Sequence, residues 1–407
     1  MIAVGDELLL GDIVNTNAAW LGEQLARAGV EVVASAAVGD DVQRLATALR
    51  RALEDADVVV LSGGLGPTVD DLTRDAVALV AGVALVRSPE LEAGLRAKFA
   101  AYDLAMPDAV LRQADVPAGA EPLDNPLGTA PGLWLELAEG VVIALPGPPH
   151  ELRATAGPVL TRLAARTGTV VTTRQVHVAG TGESQVAERV EAAVVVPDGV
   201  ALAYLAGGAV VRVRFTTTAD PAALDPLVDA VDAALGDDVF GHDEDTLDGV
   251  VHGLLRAAGQ TVAVAESLTG GLLGAALSQR PGSSATFRGG LVVYATDLKA
   301  LLADVPSALL TTYGAVAPET AAALAQGART RLGADWGIGV TGVAGPQEQE
   351  GHPVGTVHLA VAGPDRSGQA RSLHLPGDRE RIRAMTVTHA LDLLRRSLSG
   401  SARGVAP

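Results

Sequence analysis

"DVVVLSGGLGPTVDDLTRD", residues 57–75, decides the reading of the first third of the chain. Its first half is a run of aliphatic residues ending in Gly63 and Gly64, the pattern of a short strand buried on both faces. Gly66 and Pro67 then turn the chain, and a helical pattern follows. A buried strand passing through glycines into a helix is half of a strand–helix–strand unit, whose ligands sit at the C-terminal strand ends. Glycines there let backbone approach a ligand closely, and N–H groups at the following helix start favour phosphate. Asp70 and Asp71 add carboxylates that could hold a divalent cation against a pyrophosphate. The competing reading is a glycine-rich turn with an aspartate capping the helix.

Working outward, "IAVG" (2–5), "EVVASAAV" (31–38) and "VVIALPG" (141–147) read as further strands. Residues 15–30 and 40–56 have helical spacing, the first with Asn15 or Thr16 as cap and Gly29 as stop. This alternation predicts a parallel sheet covered by helices on both faces. From about residue 170 the pattern becomes that of a small α+β module, with helices expected at 183–194 and 221–235 and acidic loops at 236–249. An α/β pattern resumes near 250, with strands at 261–265, 289–294, 335–341 and 353–362. Helices are expected there at 247–258, 269–280, 317–332 and 378–398, and a frayed tail beyond. The expected domains are therefore 1–168, 169–246 and 247–407.

At 407 residues the chain exceeds one ordinary core. It has no apolar run long enough to span a membrane and no signal-peptide pattern. It also has no cysteine, which excludes disulfides and thiolate chemistry and fits a cytoplasmic protein. A net charge of -18 argues against nucleic acid as a partner, since such binding relies on cations neutralising phosphates. Only Lys98 and Lys299 are lysines among 30 basic residues; the rest are arginine. Arginine does not lose its proton near neutral pH, whereas a buried lysine can. A lysine kept in this background is a candidate for chemistry.

The strings "VGDELLLGDIVNTNAAWL", "SGGLGPTVDDLTRD", "NPLGTAPG" (125–132) and "LPGPPHEL" (145–152) resemble the CinA family, competence/damage-inducible proteins. The N-terminal domain of that family is related to MogA and MoaB, three-layer molybdopterin-binding proteins. The resemblance implies metal-dependent hydrolysis of ADP-ribose to AMP and ribose 5-phosphate, with Mg²⁺, Mn²⁺ or Co²⁺ as cofactor. Carried over by motif, Gly63, Gly64 and Gly66 would line the nucleotide phosphates. Asp71 matches the shared DxT element, and Asp41 the "DD" after the second strand; both are candidate metal ligands. Asp6 and Glu7 belong to the GDEL start, Asn125 to the NPxGTAPG loop, and Asp70 precedes Asp71. His150 and Glu151 are possible contacts, with a helix cap as their rival reading. The chain begins a few residues short of the family pattern, which leaves the first strand short.

The middle segment resembles a KH-type fold, but "AGTGES" (179–184) is not the GxxG loop such domains use. Residues 170–247 also hold 4 Arg against 13 Asp plus Glu. The expectation is a spacer or dimerisation element, with a homodimer implied by the resemblance.

In "VAVAESLTGGLLGAAL" (262–277) a strand runs into Glu266-Ser267, then Thr269-Gly270-Gly271, then a helix. Ser267 is either a nucleophile or the cap of that helix. With "PGSSATFRGGLVVYATDLK" (281–299), "GVTGVAGP" (339–346) and "GDRERIRAMTVTHAL" (377–391), this region resembles PncC, the nicotinamide mononucleotide deamidase. The resemblance implies amide hydrolysis by Ser267, Tyr294 and Lys299, with lysine as base, ammonia as product and no cofactor. Backbone N–H groups of Thr269, Gly270 and Gly271 are expected to face an oxyanion or phosphate. Thr341, Gly342, Arg379, Arg381 and Arg383 are candidate substrate contacts, the arginines alternatively forming an exposed helix face. The whole then reads as an enzyme of pyridine-nucleotide salvage acting on nicotinamide mononucleotide and ADP-ribose. Its rivals are a non-catalytic competence or DNA-repair scaffold, and a molybdopterin-binding protein.

Overall fold

The computed structural model describes residues 1–168, 171–364 and 368–403, and it divides into two compact units, 1–172 and 173 to the C-terminus. The segments expected as the middle module and the C-terminal domain thus share the second unit.

The first unit runs β1 (Ile2–Val4), α1 (Asp6–Leu10), α2 (Thr16–Arg27), β2 (Ala36–Val38), α3 (Val42–Asp55), β3 (Val58–Ser62) and α4 (Thr73–Ala81). It continues with β4 (Leu85–Arg87), α5 (Pro89–Ala101), β5 (Asp115–Pro117), β6 (Glu121–Leu123), β7 (Gly132–Glu136), β8 (Val141–Leu145) and α6 (Pro149–Thr167). Six strands form one sheet in the order β2-β1-β3-β8-β7-β6. Alternate residues enter two cores. Val59 and Leu61 pack with Leu45 and Leu49 of α3 and Val77 of α4, while Val60 and Ile143 pack with Leu21 of α2 and Leu152 of α6. This produces the three layers.

Two expectations change here. The sheet is mixed, because β7 runs antiparallel to β8 and β6 antiparallel to β7. The strand expected over 31–38 reduces to Ala36–Val38, since β2 is an edge strand and β1 offers it only three rungs. Short as it is, β1 lies between β2 and β3 with all three residues buried.

The second unit begins with β9 (Thr172–Ala179), α7 (Glu183–Ala193), β10 (Val200–Gly207), β11 (Val210–Thr217), α8 (Asp225–Leu235) and β12 (Val239–His242). β12 lies within the stretch read as acidic loop, and its sheet has the order β10-β11-β9-β12. Val176, Val178, Val213 and Phe215 turn one face of that sheet onto Val186 and Val190 of α7 and Val231 of α8.

There follow α9 (Leu247–Ala258), β13 (Val262–Glu266), α10 (Leu272–Ser278), β14 (Phe287–Val292), α11 (Thr296–Ala303), α12 (Ser307–Tyr313) and α13 (Pro318–Arg331). The last elements are β15 (Trp336–Gly342), β16 (Thr356–Ala362), β17 (Gly368–His374) and α14 (Arg379–Arg403). The sheet order is β14-β13-β15-β16-β17, parallel through the first three strands and antiparallel beyond. α9, α10 and α14 bury leucines and valines against one face. Alanines of α13 lie on the other face. α13 comes so close that a Cβ on Gly339 would stand 2.1 Å from the Ala321 carbonyl oxygen, so only glycine fits there. α14 continues past the expected helix end into the stretch read as a frayed tail, and residues 404–407 lie outside the described residues.

α14 also holds the KH-type sheet. Asp392, fully buried, accepts from Arg395 through Oδ1 and from Arg396 through Oδ2 at 2.7 Å each. Arg395 donates on to the carbonyls of Asp237 and Val239, and Arg396 to Asp238.

Candidate active site

Ser267 lies directly beyond β13, 9% exposed, with its N–H on the Val340 carbonyl, which extends the parallel ladder by one rung. The next turn reverses sharply through Gly270 (φ 58°) and Gly271 (φ 100°), a left-handed pair that side chains resist. Ser267 does not cap the following helix, because α10 begins at Leu272, five residues on. The capping group is Glu266. Its carboxylate, 1% exposed, accepts from the backbone N–H of Gly271 (3.0 Å), Leu273 (3.1 Å) and Gly274 (2.8 Å). The serine hydroxyl is left for other work.

This corrects two of the three expected anion donors. The Gly271 N–H is engaged by Glu266 and the Gly270 N–H by the Ser267 carbonyl, so neither faces substrate. Thr269 is wholly buried, its hydroxyl without a partner. Arg383 donates to the carbonyls of Leu268 (3.0 Å) and Thr269 (2.7 Å), fixing the turn from α14.

Lys299 reaches the serine from α11. Its Nζ lies 3.1 Å from Ser267 Oγ and also donates to the carbonyls of Val293 (2.9 Å) and Tyr294 (3.4 Å). The side chain is 1% exposed, and burial lowers its pKa from the ordinary lysine value, against the opposing pull of Glu350 and Asp297. Tyr294 stands at the surface, and its hydroxyl oxygen accepts from Arg379 at 2.6 Å. Arg379 also donates to the Gly345 carbonyl. Ser267, Lys299, Tyr294, Thr341, Gly342 and Arg379 line one cup of about 100 Å³. The Thr341 hydroxyl donates to the Ala315 carbonyl at 2.6 Å and so holds the wall. Arg381 is outside the cup. Gln347 and Gln349, which the sequence reading did not single out, complete the rim.

The first unit holds a larger cavity of about 530 Å³, lined among others by Glu7, Gly63, Gly64, Gly66, Asp71, Gln113 and Glu151. The glycine loop is shaped from beneath. The Gly63 and Gly64 carbonyls accept from Thr73, and those of Leu65 and Gly66 from Arg74, which is 2% exposed. Four consecutive carbonyls are thereby tied to one helix start. Asp71 accepts from the N–H groups of Gly66 (2.7 Å) and Thr68 (2.8 Å) and from the Thr68 hydroxyl, closing the loop.

The remaining expected residues are placed differently. Asp41 lies outside the cavity and caps α3 through the Arg44 N–H. Asp70 is exposed and does not line it. Asn125 is buried behind the wall, donating to the Ala130 carbonyl and to Glu151 at 2.7 Å. Asp6 exchanges hydrogen bonds with Asp40, and His150 is exposed beside Glu151. Asp41 and Asp71 therefore do not meet as a metal pair, and no cluster of three or more candidate ligands occurs among the described residues. These groups do not fit a resident cation.

Residues 1–165 match a family model described as a probable molybdopterin binding domain, 173–241 the damage-inducible protein CinA KH domain, and 244–398 the CinA C-terminal domain. A CinA-like protein of Frankia casuarinae is 50% identical over 98% of this chain and 96% of its own. The chain belongs to the CinA family. Another CinA-like relative, from Parasynechococcus marenigrum, is 43% identical over 98% of this chain and 97% of its own. A crystal structure of CinA from Thermoplasma acidophilum, described as of unknown function, is 39% identical. It covers 40% of this chain and 95% of its own, with a TM-score of 0.38. No helix among the described residues of this CinA-family chain is long and apolar enough to cross a membrane.

Proposed function

We propose that the cup in the second unit hydrolyses the carboxamide of nicotinamide mononucleotide to nicotinate mononucleotide and ammonia. The observation that carries this reading is the 3.1 Å approach of a buried lysine to the serine hydroxyl. A neutral amine has two N–H bonds and one lone pair. With the Val293 and Tyr294 carbonyls taking the N–H bonds, the lone pair is left for the Ser267 proton. As that proton moves to Nζ, Oγ bonds to the amide carbon. Collapse of the tetrahedral adduct, with a proton returned to nitrogen, releases ammonia and leaves an acyl-serine. Water then enters as the ammonia left, with Lys299 again the base, and frees the carboxylate. Tyr294, whose hydroxyl oxygen accepts from Arg379, keeps its own O–H available to donate to the leaving amine. The cup is smaller than a whole-ligand site, so it suits the carboxamide end, with the ribose phosphate near Arg379 at the rim.

Ammonia release from nicotinamide mononucleotide by wild type, Ser267→Ala and Lys299→Met tests this reading. Each substitution should lower kcat by about 10²–10⁴-fold. Wild-type rates in both folded variants would sink the Ser-Lys assignment.

For the first unit we propose binding of a nucleotide diphosphate, ADP-ribose, with its phosphates at the glycine loop.

A further inference from the structure

Lys98 is the lysine that the deamidation chemistry does not use, and its surroundings repeat those of Lys299. Lys299 sets a single nitrogen on two backbone carbonyls and on a third partner, the Ser267 hydroxyl. Lys98, reaching from α5, likewise donates to the carbonyls of Asn125 and Gly128 at 2.7 Å each. A planar guanidinium spreads its donors over three nitrogens and meets converging carbonyls less well, which gives a reason for a lysine at both places. An ammonium has three N–H bonds, and the third of Lys98 has no partner among the described residues. The residue is half-buried and forms part of the wall of a second cavity in the first unit, of about 360 Å³. Thr129 lines both this cavity and the larger one at the glycine loop, so the two adjoin. Glu90 and Asp124, both exposed, stand on the second cavity's wall without ion-pair partners among the described residues. Leu91, Leu95 and Pro131 supply its apolar part.

We infer that the second cavity is a sugar subsite, which takes the terminal ribose of the ligand whose diphosphate lies at the glycine loop. The inference rests on the reading of the first cavity as an ADP-ribose site and adds where the far half of that ligand sits. Two carboxylates on the wall repel an anion, so a phosphate does not suit it, and the ammonium disfavours a cation. A neutral ring of hydroxyls satisfies both kinds of group. One hydroxyl oxygen accepts from Lys98, and neighbouring O–H groups donate to Glu90 and Asp124. The C–H face of the ring then covers the leucines and the proline.

Calorimetric titration of the full chain with ADP-ribose and with the methyl ester of ADP, which carries the same diphosphate charge without the ribose, tests it. Wild type should prefer ADP-ribose by about 10–100-fold, as hydrogen bonds to charged groups give. The double variant Glu90→Ala, Asp124→Ala, altered only at exposed positions, should lose most of that preference and bind the methyl ester as wild type does. Lys98→Met should lose the preference too. A lysine that only held the Asn125 loop would, when replaced, weaken both ligands alike and keep their ratio. That outcome, or a preference that survives in the double variant, overturns the inference. Equal affinities in wild type also overturn it, while leaving diphosphate binding in place. If wild type binds neither ligand, the reading of the first cavity falls and the inference with it.

Discussion

Burial gives Lys299 a lowered proton affinity, and the direction of that shift has consequences for rate and for stability. Only the neutral amine can accept the serine proton, so kcat/KM for deamidation should rise with pH along a limb centred below 10.5, the ordinary lysine value. Glu350 pulls the pKa upward, so Glu350→Gln should move that limb to lower pH. Its Oε2 accepts from the Val316 N–H at 3.0 Å, a bond the glutamine oxygen can keep. The sign for stability follows from the same shift. Between the folded and unfolded pKa values the unfolded chain binds the extra proton, so stability rises with pH across that window and levels off above 10.5. A pH–rate profile with a parallel urea-denaturation series measures both; a limb unmoved by Glu350→Gln would contradict the electrostatic part. Composition left two lysines, Lys98 and Lys299, and the likeness of the surrounding motifs to the PncC family chose between them. Neither showed the capping role of Glu266, since a lone Glu takes its meaning from what surrounds it.

The junction of β13 and α10 is set at the scale of elements. The local sequence suggested a helix starting near 269 with serine as its cap. In the fold the left-handed glycines delay the start to Leu272, and a strand-end carboxylate supplies the cap. Glu266 points back from a buried strand onto N–H groups up to eight residues ahead, a partnership that the short-range capping rules do not describe. Glu266→Gln keeps one acceptor oxygen but puts an amide NH₂ where the other met backbone N–H donors. That variant should lose about 1–3 kcal/mol of stability, and deamidase activity should fall with it, because the same turn carries Ser267. Chemical denaturation and the ammonia assay read the two effects; unchanged stability would show that Glu266 is not what starts the helix. In the first unit, Thr73 and Arg74 act on the glycine loop in a similar way, from the helix that follows it.

Across the second unit, the KH-type sheet and the C-terminal domain are joined through Asp392, Arg395, Arg396 and Asp238. Asp392→Ala leaves two guanidinium groups, one of them buried, without their shared carboxylate and should cost about 3–5 kcal/mol. One cooperative unfolding transition in wild type, splitting or shifting down in the variant, is the expected calorimetric result. An unchanged transition would show that the network does not couple the two parts.

Much of the strand and helix order and the two glycine-rich loops were legible in the chain because they rest on local periodicity and glycine placement, whereas α5, α11, α12 and β17 were not read and β12 was read as loop. The family likeness was legible from contiguous motifs. Tertiary structure alone decided which carboxylates face a cavity, which N–H groups remain free, and that β6, β7, β16 and β17 run antiparallel to their neighbours. Those features depend on groups far apart in sequence competing for the same hydrogen bonds, a competition settled only once the chain is packed.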